Sequence, residues 1–368
     1  MARSVPVPLR TPPRHHHPWT GDSAIACIIT VDVNMDAETR EVPAGRFTSL
    51  RSKLPKAQDR SPASVFIVGT PFSGSTLIGR DMTTRIPKAH YVGELNNYTK
   101  LPGLSGDDDY GRGCGPCDLL GRRCPHFTDA FRDSASYDDI PGMHAQLARS
   151  LGASAVIDGS KYVGWLRRAL AQRAAAPDAP GGRAPLKVVI TARNPIAFAF
   201  SHQHRTGQQL WQGANIWRDI YVDTLRTVNG HGLPNMVVRY EDYMADREVA
   251  LERLAAFLHL PLDAKPDNSR LHDAGGNWSS FVPYVGIDQI NESIGRLSES
   301  ARADAEEFVK HARAYWSDDK PKADTRWHQS LDAGQANTIL STPGLADVAS
   351  LVGYNIAEII SKAVRTPR

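Results

Sequence analysis

The segment VFIVGTPFSGSTLIGR, residues Val65–Arg80, constrains the fold because it joins three local patterns in one short stretch. An apolar run suited to a buried strand leads into a turn rich in Gly, Ser and Thr, and a helix-start pattern follows. Gly69 and Gly74 allow tight turning, and the helix N-terminus beyond them presents unpaired N–H groups that favour phosphate or sulfate. A loop that holds nucleotide β- and γ-phosphates has Lys after its last glycine, but Ser75 stands there. The segment therefore predicts an anion-binding strand–loop–helix unit without the chemistry of ATP hydrolysis.

Apolar strand patterns alternate with helix patterns along the rest of the chain. In chain order, strands are predicted at residues 64–69, 89–94, 154–160, 186–193 and 234–243. Such alternation favours right-handed crossovers between parallel strands. We therefore predict an α/β fold with three layers around a central parallel sheet.

Composition and charge bear on the domain organisation and on the partners. Residues 1–22 are rich in Pro and Arg and predict disorder, residues 23–64 a short N-terminal extension and linker, and residues 65–368 the main domain. A formal net charge of +3 is too small to favour bulk nucleic-acid binding. Neither an apolar window of about 18 residues nor the apolar region of a secretory signal is present, so we expect no membrane span and a cytoplasmic protein.

Polar and charged residues follow every predicted strand. Because ligands of open parallel sheets bind outside the carboxyl ends of the strands, these residues mark a candidate site. After the loop that follows the first strand, the residues in chain order are Glu94, then Asp158, Ser160 and Lys161, then Arg193, then Arg239, Tyr240 and Glu241. A sheet needs no such convergence for its stability, so this edge is predicted to bind a ligand.

The segment TARNPIAFAFSHQHR, which begins at Thr191, supplies a second anion-binding pattern. Arg193 ends a strand, and Ser201 and Arg205 lie four residues apart on one face of the helix that follows. Arginine is suited to forked contacts with phosphate oxygens. Together with the first loop, this segment resembles the two signature elements of sulfotransferases that use 3′-phosphoadenosine 5′-phosphosulfate (PAPS), of the bacterial type with similarity to the tyrosyl-protein and carbohydrate branch.

The resemblance implies a P-loop NTPase-like fold and a role for each matched residue. In that family the first loop holds the 5′-phosphosulfate, and the second element supplies an Arg and a Ser, here Arg193 and Ser201, to the 3′-phosphate. Arg205 matches a further basic residue of the protein-tyrosine branch. The implied loop residues are Thr70, Pro71, Phe72, Ser73, Gly74, Ser75 and Thr76.

Four shorter stretches extend the resemblance. YVGELNNY resembles a segment whose Glu is the catalytic base, which implies that role for Glu94 if its strand neighbours the first strand. VIDGSK resembles a family segment that ends in Lys, here Lys161. VVRYED resembles a family segment whose Tyr lies near the adenine, here Tyr240. HDAGGNW resembles a late loop that covers the cofactor, with His272, Gly275, Gly276 and Asn277.

The implied reaction transfers a sulfuryl group from PAPS to an acceptor hydroxyl on a saccharide, a glycolipid or another small-molecule natural product. Many family members carry Lys or Arg where Phe72 stands, and that cation would stabilise the leaving phosphate. Lys161 is the first candidate to replace it, and Arg205 or Arg80 are alternatives. No metal is required for this reaction, and the sequence leaves the oligomeric state open.

Two other functions are compatible with the same segments. A P-loop kinase of a small substrate would use an acid at a strand end, such as Asp158, to hold Mg²⁺. A non-catalytic nucleotide-binding relative would keep the fold and lose the reaction, as Phe72 suggests. The kinase requires a lysine in the loop, and the binder has no need of Glu94, Lys161 and Arg193.

A cysteine-rich stretch lies in the segment 101–139, which is expected to be rich in loops. CGPCDLLGRRCPHF contains Cys114, Cys117, Cys124 and His126, with spacing C-x2-C-x6-C-x-H. The spacing is compatible with zinc, although the last pair is tighter than in usual zinc motifs. Zinc, reduced thiols and a disulfide all stay open, and no metal site is predicted.

Overall fold

A computed structural model describes residues 61–98, 113–119, 123–274, 284, 292, 316–317, 320–321 and 325–359. The predicted disorder of residues 1–22, most of the predicted extension and linker, and the predicted cofactor residues Gly276 and Asn277 lie outside these ranges. Among the helices that the structure describes, none combines the length and apolar composition that crossing a bilayer requires.

Five parallel strands form the central sheet. They are β1 (Ala63–Gly69), β2 (Ala89–Gly93), β3 (Ala155–Lys161), β4 (Leu186–Ala192) and β5 (Asn235–Arg239). Their order in the sheet is β2-β3-β1-β4-β5, so β1 is hydrogen-bonded on both edges, to β3 and to β4. The predicted central parallel sheet is confirmed.

Helices follow the strands and cover the sheet. They are α1 (Ser75–Arg85), α2 (Leu95–Tyr98), α3 (Gly115–Leu119), α4 (Asp129–Ser134), α5 (Ile140–Leu151), α6 (Val163–Ala175), α7 (Pro195–Thr206), α8 (Leu210–Gly230), α9 (Tyr240–Ala245), α10 (Arg247–Leu258), α11 (Arg326–Ser330), α12 (Ala333–Leu340) and α13 (Leu345–Leu351). Two antiparallel strands of two residues each, β6 (Trp316–Ser317) and β7 (Lys320–Pro321), pair with each other in a second sheet.

Alternate residues of β1 pack into two separate hydrophobic clusters, one on each face of the sheet. Val65 and Ile67 pack with residues of α1 and α10. Phe66 and Val68 pack with residues of α5, α6, α7 and α8. Since both faces are covered, the residues from Val65 to Val68 form a continuous apolar run, and the predicted three-layer architecture is confirmed.

Two local predictions were wrong. The last strand ends at Arg239, and Tyr240 begins α9, because Glu241 and Asp242 in the first turn favour the positive end of a helix. The segment that was expected to be rich in loops contains two short helices in its described part, α3 and α4, and Thr128 caps the second by accepting a hydrogen bond from the Phe131 N–H.

The strand order also differs from one expectation. The strand before Glu94 does not neighbour β1, because β3 lies between them. Neighbouring strands lie about 4.8 Å apart, so β2 is about 10 Å from β1. Lys161, at the end of β3, occupies the intermediate position.

A buried ion pair holds a late segment of the chain against the sheet edge. Arg80 of α1 donates to Asp273 through two nitrogens, at 2.9 and 3.1 Å, and both side chains are fully buried. Burial raises the pKa of the Asp273 carboxyl, although the Arg80 charge opposes this shift. The adjacent Ala274 pairs with Gly93 at the end of β2. The Arg80 charge is therefore compensated by a carboxylate in the interior of the protein.

We expect Asp273→Ala to lower the free energy of unfolding by about 3–5 kcal/mol, because it leaves the Arg80 charge buried without its partner. Denaturant unfolding followed by fluorescence measures this change. The matched control is Glu248→Ala, which breaks an exposed pair with Arg85 and should change stability by no more than about 1 kcal/mol. Equal small losses in both variants would contradict the role given to the buried pair.

Candidate active site

The loop between β1 and α1 is tied to β4 by its own hydroxyl groups. The Ser73 hydroxyl lies 2.7 Å from the Thr191 hydroxyl, and the Thr70 hydroxyl lies 3.2 Å from the Tyr221 hydroxyl. Tyr221 in turn donates to the Thr191 carbonyl at 2.8 Å. Two predicted cofactor residues, Thr70 and Ser73, therefore hold the loop in position, and Pro71 is half-buried between them.

Glycine is required where this loop leaves the strand. Gly69 has φ 148°, and a Cβ atom there would lie 2.2 Å from the Thr191 carbonyl oxygen. Gly74 has φ 81°, and a Cβ atom there would lie 2.6 Å from the Tyr240 ring. The predicted adenine neighbour Tyr240 thus packs directly on the phosphate-type loop, at the first position of α9.

Two arginines of the second motif contact Phe72. Arg193 donates from Nη1 to the Phe72 carbonyl at 3.1 Å, and its guanidinium also lies 5.4 Å from the centroid of the Tyr240 ring. The Arg205 guanidinium carbon lies 4.2 Å from the centroid of the Phe72 ring, which is a cation–π contact. Phe72 lacks the charge found in related loops, but its ring holds a cation beside the loop.

Two buried hydroxyls, Ser75 Oγ and Ser201 Oγ, have no hydrogen-bond partner among the described residues. Ser75 is the first residue of α1, whose preceding Gly74 provides no side-chain cap, and Thr76 follows it into the buried first turn. Leaving a buried polar group unsatisfied costs about 1–3 kcal/mol. Both hydroxyls belong to residues that the resemblance assigns to phosphosulfate and phosphate, so they fit oxygen-rich groups as partners.

Glu94 and Lys161 form an ion pair at the ends of β2 and β3. Asn97 donates to the other Glu94 oxygen at 3.1 Å, and each member of the pair is 16% exposed. Lys161 has φ 65°, an unusual value for a non-glycine residue, and it lies at an irregularity of the β1–β3 register. Backbone outliers of this kind cluster at functional sites.

Asp158, the acid that a kinase would use, is committed to structural hydrogen bonds. Its carboxylate accepts from the Trp165 indole N–H at 2.7 Å and from the Ser160 backbone N–H at 2.9 Å, and His144 Nε2 lies at 3.1 Å. It is fully buried. The Ser160 hydroxyl also accepts the Asn96 N–H at 3.1 Å, so Asp158 supports the turn that follows Glu94.

Two residues near this edge were not found from the sequence. Trp217 is fully buried and donates its indole N–H to the Arg193 carbonyl at 2.8 Å, which holds the end of β4. Tyr162 follows Lys161 directly, and its side chain is 48% exposed. Partial burial of its side chain and the nearby Glu94 charge raise the pKa of the Tyr162 hydroxyl. Neither residue belongs to a recognisable motif, and only its tertiary neighbours indicate its role.

Comparison with known proteins gave likenesses to solved structures. A scan of protein-family models and a search of curated proteins found no match. The sulfotransferase domain of the curacin biosynthetic pathway is 19% identical, with a TM-score of 0.39, over 56% of this chain and 77% of that domain.

Two further solved structures are similar. The sulfotransferase domain of the Synechococcus PCC 7002 olefin synthase is 18% identical, with a TM-score of 0.43, over 83% of this chain and 99% of that domain. A sulfotransferase from Alicyclobacillus acidocaldarius is 17% identical, with a TM-score of 0.32, over 67% of this chain and 100% of that protein.

We expect Gly74→Ala to destabilise the protein more than Gly207→Ala. Both glycines have positive φ, at 81° and 72°, but a Cβ atom at Gly207 would meet nothing within 4 Å. The control therefore carries only the backbone cost of about 1–2 kcal/mol, whereas Gly74→Ala also displaces Tyr240. Thermal unfolding measures both variants, and equal shifts in melting temperature would show that Tyr240 does not press on the loop.

Proposed function

We propose that this protein is a sulfotransferase that transfers the sulfuryl group of PAPS to an acceptor hydroxyl. The observation that carries the proposal is the meeting of two motifs at Phe72, where the loop between β1 and α1 contacts Arg193 and Arg205. This loop has no nucleotide lysine, and it lies beside two arginines and two buried hydroxyls that have no partner within the described part of the chain. Such a loop suits a ligand with one anionic group at each end.

The donor would be held by the two motifs together. The first N–H groups of α1 and the hydroxyls of Ser75 and Thr76 bind the 5′-phosphosulfate, since a helix N-terminus favours anions. Arg193 and Ser201 bind the 3′-phosphate, and Tyr240 lies beside the adenine. The contact between Arg193 and Phe72 supports this arrangement, because it brings the residue proposed for the 3′-phosphate against the loop proposed for the 5′-phosphosulfate.

The reaction forms one bond and breaks one. The acceptor oxygen attacks the sulfur in line, the bond from sulfur to the bridging oxygen breaks, and that oxygen leaves on the 5′-phosphate. We keep Glu94 as the base that takes the proton of the acceptor hydroxyl although β2 does not neighbour β1, because its carboxylate is paired with Lys161 at the end of β3, the strand next to β1. Positioning and charge stabilisation supply most of the catalysis in transfers of this type.

Lys161 and Arg205 are the cations available to the leaving oxygen. Lys161 lies on the strand next to β1, and its ion pair keeps the Glu94 carboxylate oriented before the acceptor arrives. Arg205 lies on the Phe72 ring, beside the loop itself. We retain Lys161 as the first candidate, and Arg205 is the alternative that the loop geometry supports.

The contacts of Asp158 weigh against a kinase. A Mg²⁺ ligand needs an accessible carboxylate, and this one is fully buried with four side-chain or backbone groups hydrogen-bonded to it. The Glu94–Lys161 pair at the strand ends weighs against a non-catalytic binder, because a binder needs no base. Titration with Mg²⁺ and ATP should therefore give no saturable binding.

The acceptor side is supported by one exposed aromatic ring. Tyr162 stands next to Lys161, and its side chain is half exposed. A tyrosine combines a flat apolar face with a polar edge, which suits a sugar or a phenol. We therefore propose a saccharide, a glycolipid or a natural product with an accessible hydroxyl as the acceptor class.

Arg193→Ala should weaken the binding of 3′-phosphoadenosine 5′-phosphate by about 1.5–3 kcal/mol, because it removes a charge-assisted contact. Isothermal titration calorimetry with that nucleotide is the measurement. Arg183→Ala is the control, since Arg183 is a highly exposed arginine paired with Asp178 and should leave affinity unchanged. If the wild-type protein does not bind this nucleotide, the proposed donor is wrong.

Glu94→Gln should abolish turnover and preserve nucleotide affinity, because it removes the base and keeps the shape of the side chain. Turnover is followed by mass spectrometry of sulfated products from a panel of hydroxyl acceptors. Glu252→Gln, an exposed position of α10, is the matched control and should keep the wild-type rate. An unaltered rate in the Glu94→Gln variant would show that Glu94 is not the base.

Lys161→Ala should lower the rate of turnover and leave the nucleotide affinity unchanged.

A further inference from the structure

Three cysteine thiols and one imidazole converge in the interior of the protein, beside the end of β2. Cys114, Cys117 and Cys124 come from the segment before α4, and His272 comes from a part of the chain about 150 residues later. All four are buried, and their ligand atoms lie within 4.8 Å of one another. His272 Nδ1 lies 3.9, 3.5 and 3.5 Å from the three sulfur atoms.

The sulfur–nitrogen separations are close to those that a zinc ion imposes on its ligands. Tetrahedral zinc, with Zn–S bonds of about 2.3 Å and Zn–N bonds of about 2.0–2.1 Å, sets sulfur–nitrogen separations of about 3.5 Å and sulfur–sulfur separations of about 3.8 Å. The observed sulfur–nitrogen distances of 3.5–3.9 Å agree with the first figure. Buried side chains that merely pack together have no reason to direct four soft ligand atoms at one point.

We propose that Cys114, Cys117, Cys124 and His272 bind a structural zinc ion. Three sulfur ligands and one nitrogen ligand complete a tetrahedron and leave no position for substrate or water, which is the arrangement of structural rather than catalytic zinc. Soft thiolate ligands select against Mg²⁺ and Ca²⁺. Binding would displace the thiol protons, since the ligands are thiolates, and the binding free energy would add to folding stability.

The backbone around Cys124 is suited to a thiolate. The N–H groups of His126 and Phe127 point to the Cys124 sulfur at 3.5 and 3.3 Å, and hydrogen bonds to the charged form favour it. His126 itself is not a ligand, because its Nδ1 lies 2.9 Å from the Ser150 hydroxyl and its ring lies edge-on to His272. The fourth member of the proposed set is therefore His272, which lies far along the chain, and not the nearby His126.

The zinc would join three parts of the chain at the edge of the active site. Ala274, two residues after His272, pairs with both Gly93 and Cys114, and its carbonyl accepts the Glu94 N–H at 2.7 Å. The Gly115 N–H donates to the Asp273 carbonyl at 2.9 Å. The metal would thus fix the cysteine segment and the end of β2 in one register. Any effect on turnover rests on the proposed function, whereas metal content does not.

Cysteines grouped in this way can also form a disulfide or hold an iron–sulfur cluster. A disulfide between any two of the three cysteines would leave the third sulfur and the imidazole without a partner. An iron–sulfur cluster would need more room than one tetrahedral ion, because its ligands surround several iron and sulfide atoms. The compact set therefore favours zinc.

Elemental analysis of the full chain, purified without chelator, is the test. We expect about one zinc per chain, as in other closed tetrahedral sites. His272→Asn and Cys117→Ser should lose that zinc, whereas His126→Asn and Cys27→Ser should keep it, because neither residue belongs to the set. The proposal would be overturned by wild-type protein that contains no zinc, or that contains stoichiometric iron in place of zinc. It would also be overturned if His126→Asn lost the zinc while His272→Asn kept it.

Replacement of zinc by Co²⁺ in the wild-type protein keeps the proposal testable if the variants do not fold. Thiolate ligation of tetrahedral Co²⁺ gives intense sulfur-to-metal absorption in the near ultraviolet, which histidine ligands do not produce. This distinction matters because the run His15–His17 is a possible second place for metal. We expect the thiolate bands at one equivalent of Co²⁺. Histidine-type spectra alone would show that the cysteines do not hold the metal.

Discussion

The pairing of β1 with a parallel strand on each edge is the constraint on which the rest of the structure depends. A strand in that position is covered by helices on both faces and by hydrogen bonds on both edges, so its side chains from Val65 to Val68 are apolar. Polar groups are accommodated only where the strand ends. The loop that follows β1 is therefore the place where the chain can offer N–H groups and hydroxyls to an anion, and the ends of β3 and β4 bring Lys161 and Arg193 beside it.

The segment from His272 to Ala274 connects the remaining parts of the site. Its side chains face the cysteines and Arg80, and its backbone pairs with the end of β2 next to Glu94. A carboxylate that acts as a base has to be held in a fixed position, and the backbone of Glu94 is held here by a residue about 180 positions later in the chain. The interior ion pair and the proposed zinc thus have the same structural effect, since each ties this late segment to an earlier one.

The substitution of Phe72 for a basic residue has a physical explanation in the contacts of its ring. The aromatic face attracts the Arg205 guanidinium, and the carbonyl of the same residue accepts a hydrogen bond from Arg193. Two positive groups therefore stand beside the loop although the loop itself carries none. Arg205 lies more than a hundred residues along the chain, and no local pattern in the sequence connects it with Phe72.

The sequence by itself determined the strand–loop–helix unit, the alternation that produces a parallel sheet, and the helix face that carries Ser201 and Arg205, because these depend on periodicity and on residues close together in the chain. Only the tertiary structure decided the position of β3 between β1 and β2, the pairing of Lys161 with Glu94, and the burial of Asp158. It also placed His272, rather than the nearby His126, among the cysteines. Such pairings depend on strand order and on crossovers, which bring distant residues together without leaving a local signal in the sequence.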